Sequence, residues 1–337
     1  MFCVADQGKL MLQSIQVNLL RALVALVLLP ALLGCSQKPQ EPLKVSLHVW
    51  SGYEPLFMAE REGWLDKAQV KLVENHTAAD SIEALKTGAV DGAGLTFDEV
   101  LRARAEGVPI SVIFVCDISA GADVVLARPE ITRIGQLKGK RIAVEQGALG
   151  ALVLYKTLEK EGLTPADVTQ INIPPADQIA AWKENRIDAV VSYEPVSMEV
   201  EKTGATRLLD SRQIPDTIFD VLVMRQDAIE KNPDAIRHLV AAHLKGLNFF
   251  HSHPQDAAYR MSKHLALPAN EVLVSFKGLT LPDLANNRRL LAGNAPVLLG
   301  KTDNLSAILI QAGLLKKPDS KINLVNASFL PSTESAE

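Results

Sequence analysis

The chain has 337 residues, 47% of them hydrophobic and 22% charged, with a formal net charge of −4. That length suffices for two domains of ordinary size, each with its own core. A small negative charge with no basic block argues against nucleic acid as a partner.

At the N-terminus, Arg21 precedes an apolar run over residues 22–33 that closes on Leu32-Leu33-Gly34-Cys35. The run is too short to span a bilayer comfortably. A basic residue, an apolar core of about a dozen residues and a small residue before a cut describe a secretory leader. Met11 is an alternative start, because the residues before it add nothing to that signal. The closing tetrapeptide resembles the lipobox of bacterial lipoproteins. The resemblance implies a signal peptide over 1–34, a diacylglycerol on the Cys35 thiol and a polar tether over 35–42, with several acyl chains giving lasting attachment where one gives little. The bland alternative is an ordinary thiol beside a cleaved leader. With Cys3 removed and Cys35 lipidated, Cys116 is the one thiol left, so no internal disulfide forms; its apolar surroundings predict a buried core position. The body has no second apolar run of bilayer length. The expected location is the periplasmic side of the cell envelope, anchored by lipid to the inner or the outer membrane, with Ser36 favouring the outer one in a Gram-negative host.

From residue 43 onward, Val- and Ile-rich runs alternate with segments of helical period, the pattern of βαβ units around a largely parallel sheet. Strands are predicted over 44–50, 69–74, 90–96 and 108–116, with helices over 54–65 and 80–87. A second series follows Leu137-Lys138-Gly139-Lys140: strands over 141–144, 170–173 and 187–192, a helix from 147 and another over 178–185. Two hexamers bracket that series and nearly match, Asp123-Val124-Val125-Leu126-Ala127-Arg128 and Asp220-Val221-Leu222-Val223-Met224-Arg225. They read either as two hinge strands crossing between lobes or as a coincidence of ordinary β runs. The first reading divides the body into lobe 1 (43–125 and 223–330, with C-terminal helices) and lobe 2 (126–222). After Arg225 the pattern turns helical, from Asn232-Pro233-Asp234 and then over 255–265, 283–291 and 304–312, before a frayed tail at 332–337.

Five blocks in order resemble the nitrate, taurine and aliphatic-sulfonate class of solute-binding proteins, to which thiamine-pyrimidine-precursor proteins are related. They are Trp50-Ser51-Gly52-Tyr53-Glu54-Pro55-Leu56, Gly63-Trp64-Leu65, Asp117-Ile118-Ser119-Ala120-Gly121-Ala122-Asp123, the block from Leu137 to Val144, and Asp188-Ala189-Val190-Val191-Ser192-Tyr193-Glu194-Pro195. The resemblance implies an α/β fold of the type II periplasmic binding protein kind, two lobes joined by crossing hinge strands. It also implies a monomer that captures a small molecule and delivers it to ABC permease subunits, without cofactor, metal or catalysis. Two alternatives stay open: an enzyme related to those that make the thiamine pyrimidine, whose Cys-rich segment is missing here, and a lipoprotein that reports ligand occupancy to a signalling receptor.

Ligands of open α/β sheets bind beyond the carboxyl ends of the strands. Five such ends are predicted to face one cleft: 50–53, 95–98, 117–121, 145–148 and 192–194. The candidate contacts are Trp50, Ser51, Gly52, Tyr53, Thr96, Asp117, Ser119, Gln146, Gly147, Ala148, Tyr193 and Glu194. Each has a structural alternative: Trp50 and Tyr53 as core caps, Gly147 as a turn residue, Asp117 as a loop anchor through Ser119. Trp182 reads as helix–sheet packing, and His251 and His253 lack the partners a metal site needs. A desolvated sulfonate or nitrate requires charge-assisted donors. None of the five loops contains Lys or Arg; they carry Asp117, Glu145 and Glu194 beside aromatic rings. The expected ligand is therefore an amine, amidine or aminopyrimidine in preference to a sulfonate or nitrate.

Overall fold

The structure, a computed structural model, describes residues 41–332. The expected leader, the lipidation site Cys35, most of the tether and tail residues 333–337 lie outside the described residues.

Two mixed sheets organise the described chain. The first contains β1 (Leu43–Leu47), β2 (Val70–Glu74), β3 (Gly92–Thr96), β4 (Ile110–Ser119), β10 (Phe219–Arg225) and the short β11 (Leu279–Thr280), in the order β11-β4-β10-β3-β1-β2. The second contains β5 (Val124–Ala127), β6 (Arg141–Val144), β7 (Thr169–Asn172), β8 (Ala189–Ser192) and β9 (Thr206–Asp210), in the order β7-β6-β8-β5-β9. Parallel pairs β1–β2, β1–β3, β6–β7 and β6–β8 are joined through helices, as parallel connections require. Helices cover both faces, so the strands read as continuous apolar runs; β5 and residues 110–117 of β4 are buried throughout. In the second half, Val125, Ile142, Val144 and Leu158 pack one face, while Leu126, Ala143, Trp182 and Val190 pack the other. Cys116 is a free, buried thiol in β4, as its apolar run predicts.

The hexamers differ from the expectation in one respect. Each lies wholly within one sheet, antiparallel between two neighbours: β5 between β8 and β9, β10 between β3 and β4. A strand hydrogen-bonded on both edges cannot also straddle two sheets, so the chain crosses just before each hexamer, at residues 120–123 and 211–218. The expected boundaries at 125/126 and 222/223 thus fall inside strands. Hydrogen bonds tie the crossings together: Ser119 Oγ and Ser211 Oγ share one at 2.8 Å, and Ser211 Oγ accepts from Gly121 N–H at 2.6 Å.

Helix ends follow local chemistry. The helix Ala78–Thr87 starts earlier than expected because Thr77 is its N-cap, accepting from Asp80 N–H at 3.0 Å, and it stops at left-handed Gly88. A helix over Phe97–Ala105 was not among the expected elements. Thr96 and Glu99 form its capping box, and Thr96 N–H donates to Glu99 Oε2 at 2.8 Å. The long helix Pro233–Ser252 buries Ile236, Leu239, Val240, His243 and Leu247, a stripe of helical spacing.

Candidate ligand-binding cleft

The carboxyl ends of the parallel strands in both sheets meet at one cavity of about 30 Å³. From the first half come His48, Trp50, Ala78, Thr96, Glu99 and Asp220; from the second, Asp123, Glu145, Ala148, Leu149, Gln178, Ser192 and Tyr193, among others. No Lys or Arg lines it. Arg102, whose charge partly offsets the rise of Glu99 and Glu145, pairs with Asp98 at 3.2 Å and keeps a buried Nε without a partner.

Four of the predicted residues, Trp50, Thr96, Ala148 and Tyr193, line this space. The Trp50 and Tyr193 rings meet edge to face at 5.1 Å, a preferred aromatic geometry. The other eight do not line the cavity, and most support its walls. Ser51 donates to Ser275 at 2.9 Å, and Tyr53 donates to Asp220 Oδ1 at 3.2 Å. Gly52 serves packing rather than a ligand: a Cβ there would run into Asp117 Oδ2 and the Trp50 indole nitrogen. Asp117 accepts from Trp50 Nε1 at 3.0 Å, and Ser119 binds Ser211. Gln146 is exposed, its N–H donating to Asn172 Oδ1 at 3.0 Å, and Gly147 occupies a left-handed turn at φ +81°. Glu194 accepts from Met198 N–H at 3.1 Å.

The lining also carries four acids that the sequence did not single out as contacts: Glu99, Asp123, Glu145 and Asp220. Asp220 and Asp117 sit directly opposite each other on β10 and β4, both fully buried. Two carboxylates so placed cannot both ionise, so the pair retains a proton. Burial pushes Asp117 up to about 7 and Asp220 well above the carboxylate range, its rise reinforced by Asp117. Burial likewise raises Asp123 to about 6, and it raises Glu99 to about 8 with help from Asp98. Glu145 is also raised by burial, and held back by the backbone N–H groups of Ala79 and Ala78. His48 packs edge-on to Tyr53 with ring centroids 5.4 Å apart, and burial lowers its pKa to about 4, so the imidazole is neutral.

Six buried polar atoms on this lining have no partner: the carboxyl or amide oxygens Asp123 Oδ2, Glu145 Oε1, Gln178 Oε1 and Asp220 Oδ2, together with His48 Nδ1 and Ser192 Oγ. The Gln178 amide is oriented by its Nε2, which donates to the carbonyls of Ile173 and Val191, both at 3.2 Å. Unpaired buried polar atoms are costly, and a cluster of them dominated by carboxyl and amide oxygens suits a space that receives donors. Among the described residues no group of three or more His, Cys, Asp or Glu is spaced to hold a metal ion.

Two α/β halves thus meet at one acid-lined cavity. Residues 50–257 match the NMT1/THI5-like family, and the chain belongs to it. Among curated relatives, the taurine-binding periplasmic protein of Escherichia coli K12 is 27% identical over 203 residues, 58% of this chain and 63% of that protein, just under two thirds of its length. Among solved structures, the alkanesulfonate-binding protein SsuA from Xanthomonas axonopodis pv. citri, bound to MOPS, superposes with a TM-score of 0.68 at 18% identity, covering 82% of this chain and 95% of that one. The desulfurization enzyme DSZB shares the fold too, with a TM-score of 0.62 at 17% identity over 86% of this chain and 97% of its own. The mixed α/β architecture with two sheets is therefore that of periplasmic binding proteins.

Proposed function

We propose that this chain is an extracytoplasmic solute-binding protein, anchored through a lipidated Cys35, that closes its two halves on a small guest and delivers it to an ABC importer. The guest is a donor-rich, positively charged and partly flat molecule: an amine, amidine or aminopyrimidine. The observation that carries this reading is the lining itself, with four buried carboxyl or amide oxygens lacking a partner, four carboxyl groups and no cation. Trp50 and Tyr193 offer apolar faces to the flat part.

The enclosed space is small for any such guest, so entry requires the halves to part. The two crossings at 120–123 and 211–218 are the natural hinges, and the guest supplies the differential affinity that favours closure. The DSZB fold makes catalysis a fair question. Cys116, the cysteine of the described body, is buried in the core of β4, off the cleft, with its thiol pushed up by burial; this speaks for binding without conversion.

Thermal denaturation of the purified chain tests the ligand class. Benzamidine and 4-aminopyrimidine are expected to raise the melting temperature, by an amount equivalent to about 2.7 kcal/mol at a hundredfold excess over Kd. Asp123→Asn should weaken that rise. A rise with taurine or nitrate and none with the amines would overturn the proposed preference.

A further inference from the structure

The aspartate pair reaches the cleft through Asp220. Asp117 and Asp220 are cross-strand partners on β4 and β10, both buried, and of the two only Asp220 lines the cavity. Each has one oxygen supplied with a donor: Trp50 Nε1 donates to Asp117 Oδ2 at 3.0 Å, and the Tyr53 hydroxyl donates to Asp220 Oδ1 at 3.2 Å. The remaining oxygens, Asp117 Oδ1 and Asp220 Oδ2, are buried without a partner. A proton shared between the two carboxyls fills that gap, since opposed carboxylates shut off from water cannot both stay charged.

With Oδ1 committed to Tyr53, the oxygen of Asp220 left for a guest is the one that needs the proton, so guest and proton compete for it. We infer that the cleft exchanges a proton for its guest: a cationic guest pairs with Asp220 Oδ2, and the proton shared by Asp117 and Asp220 leaves for the solvent. The carboxyl O–H bond breaks, the proton passes to water, and the freed oxygen accepts a charged N–H of the guest; one positive charge replaces another. A cation beside a carboxyl favours its ionised form, which drives the exchange. The other titratable groups that bear on Asp220 supply no competing cation. The Cys116 thiol lies beside it on β4, Glu99 on the helix that follows β3, and Asp123 and Tyr193 in the second half. Glu145 and a neutral His48 complete the titratable lining. Both Glu99 oxygens already accept backbone N–H groups, from Thr96 at 2.8 Å and Leu149 at 2.9 Å, which favours its charged form. Asp117 is thus a positioning residue for specificity: it touches no guest, yet it keeps Asp220 protonated until a cation arrives.

This rests on the reading of the cleft as a site for cations, and the test separates the two. Benzamidine, cationic throughout the range used, is titrated into the wild-type chain in unbuffered solution held at pH 7.5 by a pH-stat, which counts protons released; its Kd is measured at pH 6.5 and pH 7.5. The wild type is expected to release about one proton per guest, with Kd falling about tenfold over that pH unit. In Asp117→Asn the side-chain oxygen still accepts from Trp50 and the amide supplies Asp220 with a donor, so Asp220 is ionised before the guest arrives. Release should drop to near zero, and binding at pH 6.5 should tighten toward the wild-type value at pH 7.5. Asp220→Asn, the second variant, has no proton to give: its affinity at pH 7.5 should fall about tenfold or more and be nearly independent of pH. Benzamidine binding to the wild type without proton release, or with a release that both variants keep, overturns the inference and leaves the cation site standing. If benzamidine binds at neither pH, the proposed ligand class falls and the exchange falls with it.

Discussion

The two halves of the described chain are built to one plan. In each, a residue at the start of the first parallel strand, the second of β1 and the first of β6, donates its N–H, at 2.8 Å, to an aspartate just before the third: Lys44 to Asp91, and Arg141 to Asp188. The helix before that aspartate ends in a left-handed residue, Gly88 in one half and Asn185 in the other. The arginine that ends or follows the inserted antiparallel strand reaches the carbonyl three residues before that helix end, Arg225 to Leu85 and Arg128 to Trp182. The matching hexamers are thus equivalent strands of two halves, which is why they resemble each other. Against that background the difference lies in charge. In the second half, Asp210 at the end of β9 is neutralised by Arg212 at 2.6 Å, whose hydrogen bond holds its carboxyl below the usual range. In the first half, Asp117 faces Asp220 with no cation. The scaffold does not need an opposed aspartate pair, since one half folds without it; of the pair, Asp220 lines the cavity and Asp117 stands behind it.

Two glycines in the segments that follow the first strands of the two halves, Gly52 and Gly147, separate most sharply under substitution. Gly52→Ala drives a Cβ into Asp117 and Trp50, two buried groups that cannot both move aside. A loss of about 3 kcal/mol or more is expected, at the upper end of overpacking costs. Gly147→Ala meets nothing nearer than 3.9 Å and incurs only the left-handed φ of +81°, about 1–2 kcal/mol. Urea unfolding of both variants measures the contrast, and equal losses would dissolve it.

The aspartate pair itself gives the next largest effect. Both carboxyls are raised in the folded state, so the stability they contribute is complete below the unfolded carboxylate pKa and is lost as pH rises through their folded values, about 7 for Asp117 and higher for Asp220. Asp220→Asn places an amide donor where the shared proton sits. Between about pH 4 and pH 8 the wild type should lose stability more steeply than the variant, in which Asp123 and Glu99, also raised by burial, still titrate. At pH 8 the variant should be the more stable by on the order of 2–4 kcal/mol. Unfolding curves at pH 5 and pH 8 decide it; a variant that is less stable than the wild type at pH 8 would show that the pair is not strained.

Much of this plan was legible in the chain. The alternation of apolar and helical segments located most strands, and β6 falls on the expected residues 141–144. Pairing partners are not legible, so the sequence leaves open hinge strands or a coincidence of β runs, whereas the strand of each hexamer is held inside one sheet. The helix Phe97–Ala105 carried a readable signal, Thr96 followed three residues later by Glu99. At the cleft, loop positions were located but not side-chain directions. Along the extended stretch that leads into the cleft, alternate residues share a face. That places His48 with Trp50 on the lining and turns their neighbours away. Asp123 and Asp220 were visible as the first residues of the two hexamers, but nothing local distinguishes a scaffold acid from one that faces a guest.

The neutralised half supplies the last and smallest test. Asp210 is depressed by Arg212, so its contribution has the opposite sign to that of the pair: present above the unfolded pKa and lost as pH falls through the folded one. Arg212 is well exposed, and solvent screens most of its effect. Arg212→Leu should therefore lower stability at pH 7 by far less than Asp220→Asn raises it at pH 8, and the difference from wild type should vanish as the solution is acidified below pH 3. The same variant leaves the cleft lining untouched, so benzamidine should stabilise it as it does the wild type. If Arg212→Leu instead abolished that stabilisation, the acids of the two halves would be coupled through the crossings, and the division into a scaffold acid and a cleft pair would have to be withdrawn.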